Sequence, residues 1–187
     1  MIGRELKRIL QKPTAFVCIV VYMGIMILGV ESDLRARYEI GVLNLFWVTE
    51  NFGVTIFLQT LIFPVAAAGN YFDERKGHYD WLIQMRSGQL RYCIAKIVSA
   101  VLGGIILYMI SVILFFAVCV IFIPEVRHGS TVESITNLFQ SKECFWYRMA
   151  LSIGYYPTVI VLAFQYSLHI GIYVLIGLCV SVFCTNQ

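Results

Sequence analysis

The stretch that decides the fold is IVSAVLGGIILYMISVILFFAVCVIFI, residues 97–123, which contains no charged residue. A helix needs about 20 mostly apolar residues to cross a bilayer, with a range of about 17–25. Uncharged runs at residues 13–30, 51–72 and 149–187 also meet this length. The chain is 59% hydrophobic and 13% charged, whereas a soluble domain carries about 25% charged residues. The sequence therefore predicts an all-α, polytopic transmembrane helical bundle.

A single transmembrane domain over residues 1–187, with about four spans, accounts for these runs. The basic N-terminus and the long run after it, which lacks a small-x-small cleavage pattern, favour an uncleaved anchor over a signal peptide. The last run could form one long span preceded by an interfacial helix, or two short spans. The predicted elements are an N-terminal helix at 2–12, spans at about 14–30, 52–71, 93–123 and 155–184, a charged connection at 72–92, and polar segments at 31–51 and 124–150.

The distribution of basic residues orients this bundle. With the N-terminus inside, nine of the 14 Lys and Arg residues lie on the inner side and five on the outer side. Because basic residues are enriched on the cytoplasmic side of membrane proteins, we predict a multi-pass protein of the plasma membrane with a cytoplasmic N-terminus. Residues 72–92 then also face the cytoplasm.

The apolar runs contain few polar groups on which chemistry could depend. Lys96, near the end of a span, is expected to snorkel to the interface. The near absence of ionisable residues deeper in the spans argues against a proton-coupled carrier. Neither an HExxH zinc motif nor a GxxxxGK[ST] phosphate-binding loop is present, so the sequence predicts no metal site, no cofactor in this chain and no enzyme activity.

Small residues cluster at two places that would suit close helix packing. One face carries Ala66, Ala67, Ala68 and Gly69, and the other carries Ser99, Gly103 and Gly104. Small residues let membrane helices approach each other closely. Since Gly and Ala are common in membrane helices in any case, the pattern is equally consistent with ordinary composition.

The charged stretch NYFDERKGHYDWLIQMRSGQLRYCIAK, residues 70–96, contains the charged connection at 72–92 and interrupts the apolar sequence. Trp81, Leu82 and Met85 would form one apolar stripe on a short helix. Such a helix could lie on the inner leaflet or dock into the groove of a cytoplasmic partner. A plain solvated loop that follows the charge bias is the third interpretation.

The order of these features resembles the permease subunit of type 2 ABC exporters (the ABC-2 family, type V exporter-like). The resemblance covers residues 1–123, as far as the end of the third predicted span. It lies in the basic amphipathic elbow GRELKRILQKP, in a second span that ends in NYFDERKGHYDWLIQMR, and in the approach RSGQLRYCIAKIVSAVLGG to the third span. Members of that family usually have six spans, and the four predicted here would be the first four.

The resemblance implies a transport subunit without its own nucleotide site. It would export a peptide, drug-like or lipid-like substrate, with a partner ATPase supplying ATP and Mg²⁺ chemistry and a second permease copy completing the pore. Residues 72–92 would contain the coupling helix, and Arg4, Lys7 and Arg8 would anchor the elbow at the inner leaflet. The implied ATPase contacts are Asp73, Glu74, Arg75, Lys76, Gly77, Tyr79, Trp81 and Leu82.

A second function fits a chain with only four spans. Such a chain would be a non-transporting scaffold or accessory subunit of a membrane complex. The two functions differ in one measurable property, ATP-dependent export from vesicles.

Overall fold

The protein is all-α in the computed structural model, which describes residues 2–35, 41–51, 53–76, 88–122 and 145–184. The prediction of an all-α helical bundle is confirmed, and the described part contains no strand. Its seven helices are α1 (Ile2–Gln11), α2 (Pro13–Arg35), α3 (Val42–Asn51), α4 (Gly53–Lys76), α5 (Gln89–Phe122), α6 (Phe145–Ile153) and α7 (Tyr155–Cys184).

Three helices are long and apolar enough to cross a membrane. The qualifying segments are Pro13–Val30 in α2, Leu90–Phe122 in α5 and Tyr155–Ser181 in α7. Helices α3 and α4 pass the same test only together, as a bent pair, so the described residues contain three spans, or four if that pair is one broken span.

These helices expose large apolar side chains that a bilayer would cover. Phe16, Val65 and Ile160 are each more than half exposed within the protein. In water such surfaces would be aggregation sites, because soluble proteins rarely expose large continuous apolar patches. The exposed apolar faces therefore agree with a lipid environment.

The chain packs as two units. The first, unit A, comprises residues 1–21, 58–110 and 167–187, and the second, unit B, comprises residues 22–57 and 111–166.

Glycines bring α5 and α7 into close contact within unit A. A methyl group built on Gly104 would lie 2.6 Å from Cγ2 of Val174, and one built on Gly171 would lie 3.2 Å from Cγ1 of Val101. Likewise, a methyl group on Gly177 would lie 2.8 Å from Cβ of Pro64 in α4. Each glycine thus accepts the side chain of a neighbouring helix, which is the packing that small residues permit in membranes.

Most of the predicted small-residue positions belong to this packing. Ser99, Gly103 and Gly104 are buried on α5, and the three alanines at 66–68 are buried on α4. Gly69 is different, because a methyl group built on it would meet nothing within 4 Å.

Aromatic rings form the core of unit B. The ring of Phe46 in α3 stacks on Phe116 of α5, with centroids 6.0 Å apart, and meets the edge of Tyr166 in α7 at 5.7 Å. Phe115 makes a further edge contact with Phe116. Such pairs contribute about 0.5–1.5 kcal/mol each beyond the area they bury.

Gly154 separates α6 from α7. Its φ of 104° lies in the left-handed region, which glycine adopts without steric cost. The Gly154 carbonyl accepts hydrogen bonds from the backbone N–H of Thr158, at 3.3 Å, and from its hydroxyl, at 2.8 Å. From Tyr155 onward the last helix is unbroken to Cys184, with Gly171 inside it.

Candidate functional site

The N-terminal helix α1 presents opposite faces to protein and surroundings. Its sequence IGRELKRILQ is strongly amphipathic. Arg4, Lys7 and Arg8 are exposed, while Ile9 is 2% exposed. The three predicted anchor residues therefore lie on the outer face of α1, where they can reach lipid headgroups.

Two contacts fasten α1 to α5 within unit A. The Lys96 ammonium forms an ion pair with the Glu5 carboxylate. One helix turn away from Glu5, Ile9 lies over Gly103, where a methyl group would be 3.1 Å from Cγ2 of Ile9. We call Glu5, Ile9, Lys96 and Gly103 the elbow latch.

Lys96 is buried against α1. Its side chain is 7% exposed and that of Glu5 is 14% exposed. The ammonium also lies 5.7 Å from the centroid of the Tyr92 ring, a distance suited to a cation–π contact. The opposite charge on α1 therefore replaces part of the water that would otherwise solvate Lys96, and its snorkelling to the interface stays a prediction.

The predicted ATPase contacts fall at the edge of the described residues. Helix α4 continues through Asp73, Glu74, Arg75 and Lys76, of which only the helical backbone is described. Gly77, Tyr79, Trp81 and Leu82 lie outside the described residues, and α5 begins at Gln89 after Gly88. The coupling role of these residues stays a prediction.

Unit B contains a carboxylate that the sequence reasoning missed. Glu50 is fully buried, and its Oε1 accepts a hydrogen bond of 3.0 Å from the Tyr22 hydroxyl. Tyr22 lies near the middle of the apolar segment Pro13–Val30. Glu50, assigned above to the polar segment 31–51, therefore contacts the centre of a span.

A tyrosine from α7 completes the surroundings of this carboxylate. Tyr166 meets the ring of Phe46, one helix turn before Glu50 on α3, and lies within electrostatic reach of Glu50. The neighbouring Thr49 hydroxyl donates to the Leu45 carbonyl at 2.9 Å. Ionisable residues at membrane depth are rare and are typical of functional sites, so Glu50 is the candidate for chemistry inside the bundle.

The sequence did carry a signal for Glu50. Leu43, Phe46 and Glu50 are spaced i, i+3 and i+7, which places them on one face of α3. Because Leu43 and Phe46 are core residues, the third member of that face is buried with them. No group of three His, Cys, Asp or Glu side chains suited to a metal ion occurs in the described part of the chain.

No protein-family model, curated protein or solved structure matches this chain. Its function is therefore argued from its own residues.

Proposed function

We propose that this chain is the permease subunit of an ABC-type exporter in the plasma membrane, with its N-terminus in the cytoplasm. It would move a peptide, drug-like or lipid-like substrate using a separate ATPase, which supplies the ATP and Mg²⁺ chemistry, and would pair with a second permease copy. The observation that carries the proposal is the elbow latch. It joins an amphipathic surface helix to the span that follows the charged connection.

Because of the latch, movement of that connection would also move α1. Lys96 lies four residues beyond the end of the charged connection at 72–92. Both Lys96 and the last residues of the connection belong to α5, which begins at Gln89. A force applied to the connection would move α5, and α1 would follow because Glu5 and Ile9 hold it there. The glycine contacts of α5 with Val174 extend the motion to α7, since tightly packed interiors transmit displacement.

The proposed mechanism is the one that the resemblance to ABC-2 permeases implies. Closure of two ATPase subunits on ATP would push the coupling segment, and the latched helices would rock between inward-open and outward-open states. The exposed Arg4, Lys7 and Arg8 would hold α1 at the headgroups as it moves. The residues proposed to contact the ATPase are Asp73, Glu74, Arg75, Lys76, Gly77, Tyr79, Trp81 and Leu82.

Co-purification tests the coupling assignment. The wild-type chain is coexpressed with the ABC ATPase subunits of its own organism and recovered with a bound ATPase. Combined Arg75→Glu and Trp81→Glu substitutions should abolish recovery, because they reverse a charge and remove the proposed apolar anchor. Arg148→Glu makes the same charge reversal on exposed α6 and should leave recovery unchanged. An intact complex in the double variant would contradict the coupling assignment.

Vesicle export separates transport from a scaffold role. Vesicles holding this chain and its ATPase should accumulate substrate only with ATP and Mg²⁺. A stable complex that never supports ATP-dependent movement of any tested peptide, drug or lipid would instead identify a non-transporting accessory subunit.

A further inference from the structure

Unit A contains a groove of about 520 Å³ between three helices. This volume lies within the range of about 300–1,000 Å³ that is typical of small-molecule sites. Its lining comes from the start of α2, from the length of α4 and from the end of α7. The residues that decide its chemistry are Lys12, Thr14, Pro64, Gly69, Gly177 and Ser181.

The groove is closed by helix contacts and open toward the bilayer. Cys18 lies against the Ile62 carbonyl, 3.7 Å away, where α2 meets α4. Gly177 approaches Pro64 where α7 meets α4. The lining side chains Leu61, Val65 and Val180 are about half or more exposed, so an apolar molecule could enter from the lipid side.

The length of the groove matches one leaflet. Along α4 it runs from Thr60 to Gly69, which is about 13 Å at a rise of about 1.5 Å per residue. Half of a hydrocarbon core of about 30 Å is about 15 Å. One acyl chain from a single leaflet therefore fits along α4.

One end of the groove is lined by polar residues. Lys12 lies at the joint between α1 and α2, where the Lys12 N–H donates to the Ile9 carbonyl at 3.4 Å and the Ala15 N–H donates to the Lys12 carbonyl at 3.0 Å. Thr14 and Ser181 line the groove with it. Residues 1–12 contain four basic residues and one acidic residue, so the segment that leads into the groove has a net positive charge.

We propose that this groove binds one anionic phospholipid, with its phosphate on Lys12 and one acyl chain lying along α4. Positive charge at an apolar groove of leaflet depth is complementary to an anionic headgroup and favours it over a headgroup with no net charge. The site goes beyond the proposed function and holds whether or not the chain is a permease.

Native mass spectrometry of the full chain tests the headgroup. The purified chain is titrated with phosphatidylglycerol and with phosphatidylcholine of identical acyl chains. We expect one tightly bound phosphatidylglycerol. Lys12→Gln should weaken it about fivefold, the effect of one basic residue at an anionic surface, and Lys12→Arg should restore it. Equal binding of the two lipids by the wild type would overturn the proposal.

Filling the groove tests the acyl chain. Gly69→Leu places a side chain where a methyl group meets nothing within 4 Å, so the helix is not strained. The control Gly24→Leu makes the same change on α2, also into open space and away from the groove. Gly69→Leu should abolish binding of the lipid, while Gly24→Leu should leave it unchanged, with neither variant melting below the wild type.

The competing occupants give different results. If glycerol phosphate displaces the lipid at the same concentration as an intact phospholipid does, the groove binds phosphate alone and the acyl-chain assignment is wrong. If Gly69→Leu converts a dimer to a monomer without changing lipid binding, the groove is a contact between copies, and the proposal fails.

Discussion

Among the described residues, each packing unit buries one charged side chain, and the two units stabilise it in different ways. In unit A, Lys96 meets the opposite charge of Glu5 and the face of Tyr92. In unit B, Glu50 accepts a hydrogen bond from the neutral hydroxyl of Tyr22. Both units contain aromatic pairs, and unit A is further held by glycines that admit the side chains of neighbouring helices.

The two contacts differ in what happens to the buried charge when the contact is broken. The Lys96–Glu5 pair joins a surface helix to a span, so separating the two helices returns both charges toward water. The Tyr22–Glu50 bond joins fully buried residues, so breaking it leaves a carboxylate without its hydroxyl donor in an apolar setting, which is costly. The latch of unit A therefore lies where a surface helix can follow the movement of a span, and the Glu50 hydrogen bond joins α2 to α3 within unit B.

Breaking the latch should have the largest effect. Lys96→Ala leaves Glu5 without its opposite charge, which costs about 3 kcal/mol of unfolding free energy, the lower end of the range of about 3–5 for such losses. The lower end applies because Glu5 is 14% exposed and α1 can move toward water. The measurement is unfolding by SDS titration in bicelles.

The control for Lys96→Ala is Arg91→Ala, an exposed residue on the same helix, which should change stability by less than about 0.5 kcal/mol. A combined Glu5→Gln and Lys96→Met variant should recover most of the loss, because no buried charge remains unmatched. Equal losses in Lys96→Ala and Arg91→Ala would show that the latch adds nothing to stability.

Removing the hydroxyl that serves Glu50 should have the next largest effect. Tyr22→Phe keeps the ring but deletes the donor, and a hydrogen bond to a charged group contributes about 1.5–3 kcal/mol. Glu50→Gln in the Tyr22→Phe background should recover part of the loss, since an amide tolerates burial better than a carboxylate. The matched control is Tyr156→Phe, at an exposed position on α7, and a similar loss there would contradict the assignment.

Overpacking α5 against α7 should have the third largest effect on the free energy of unfolding. Gly104→Ala places a methyl group 2.6 Å from Cγ2 of Val174, and such overpacking costs about 1–3 kcal/mol. Gly24→Ala adds the same methyl group where nothing lies within 4 Å, so it should stabilise its helix by up to about 1 kcal/mol. Opposite signs in the SDS titration support the glycine contact, and equal signs reject it.

Hydropathy was enough to predict the long apolar helices but not the contacts that join them. The elbow helix was predicted at 2–12 and is found at Ile2–Gln11, because its basic and apolar residues alternate with helical spacing. The elbow latch could not be predicted, because Glu5 and Lys96 are 91 residues apart. Pairing across that separation depends on the packing of α1 on α5, which composition does not encode.

Glu50 was missed for a different reason. Windows of about 20 residues average a single carboxylate with its polar neighbours, so Glu50 was assigned to a polar segment. The burial depends on the face that it shares with Leu43 and Phe46. The second span was predicted at about 52–71, whereas α4, Gly53–Lys76, passes the test for a span only together with α3.

The smallest expected effect sharpens the contrast between charges on α1 itself. Arg4 and Lys7 are exposed on the helix whose Glu5 is in the latch. Replacing both with Gln should change the unfolding free energy in phosphatidylcholine bicelles by less than about 0.5 kcal/mol. In phosphatidylglycerol bicelles the wild type should gain up to about 1 kcal/mol per basic residue from the anionic surface, and the double variant should lose that gain.

A Lys7→Arg variant keeps the charge and should behave as the wild type. If the double variant instead loses stability equally in both lipids, Arg4 and Lys7 act through the protein fold, and the headgroup-anchor role fails.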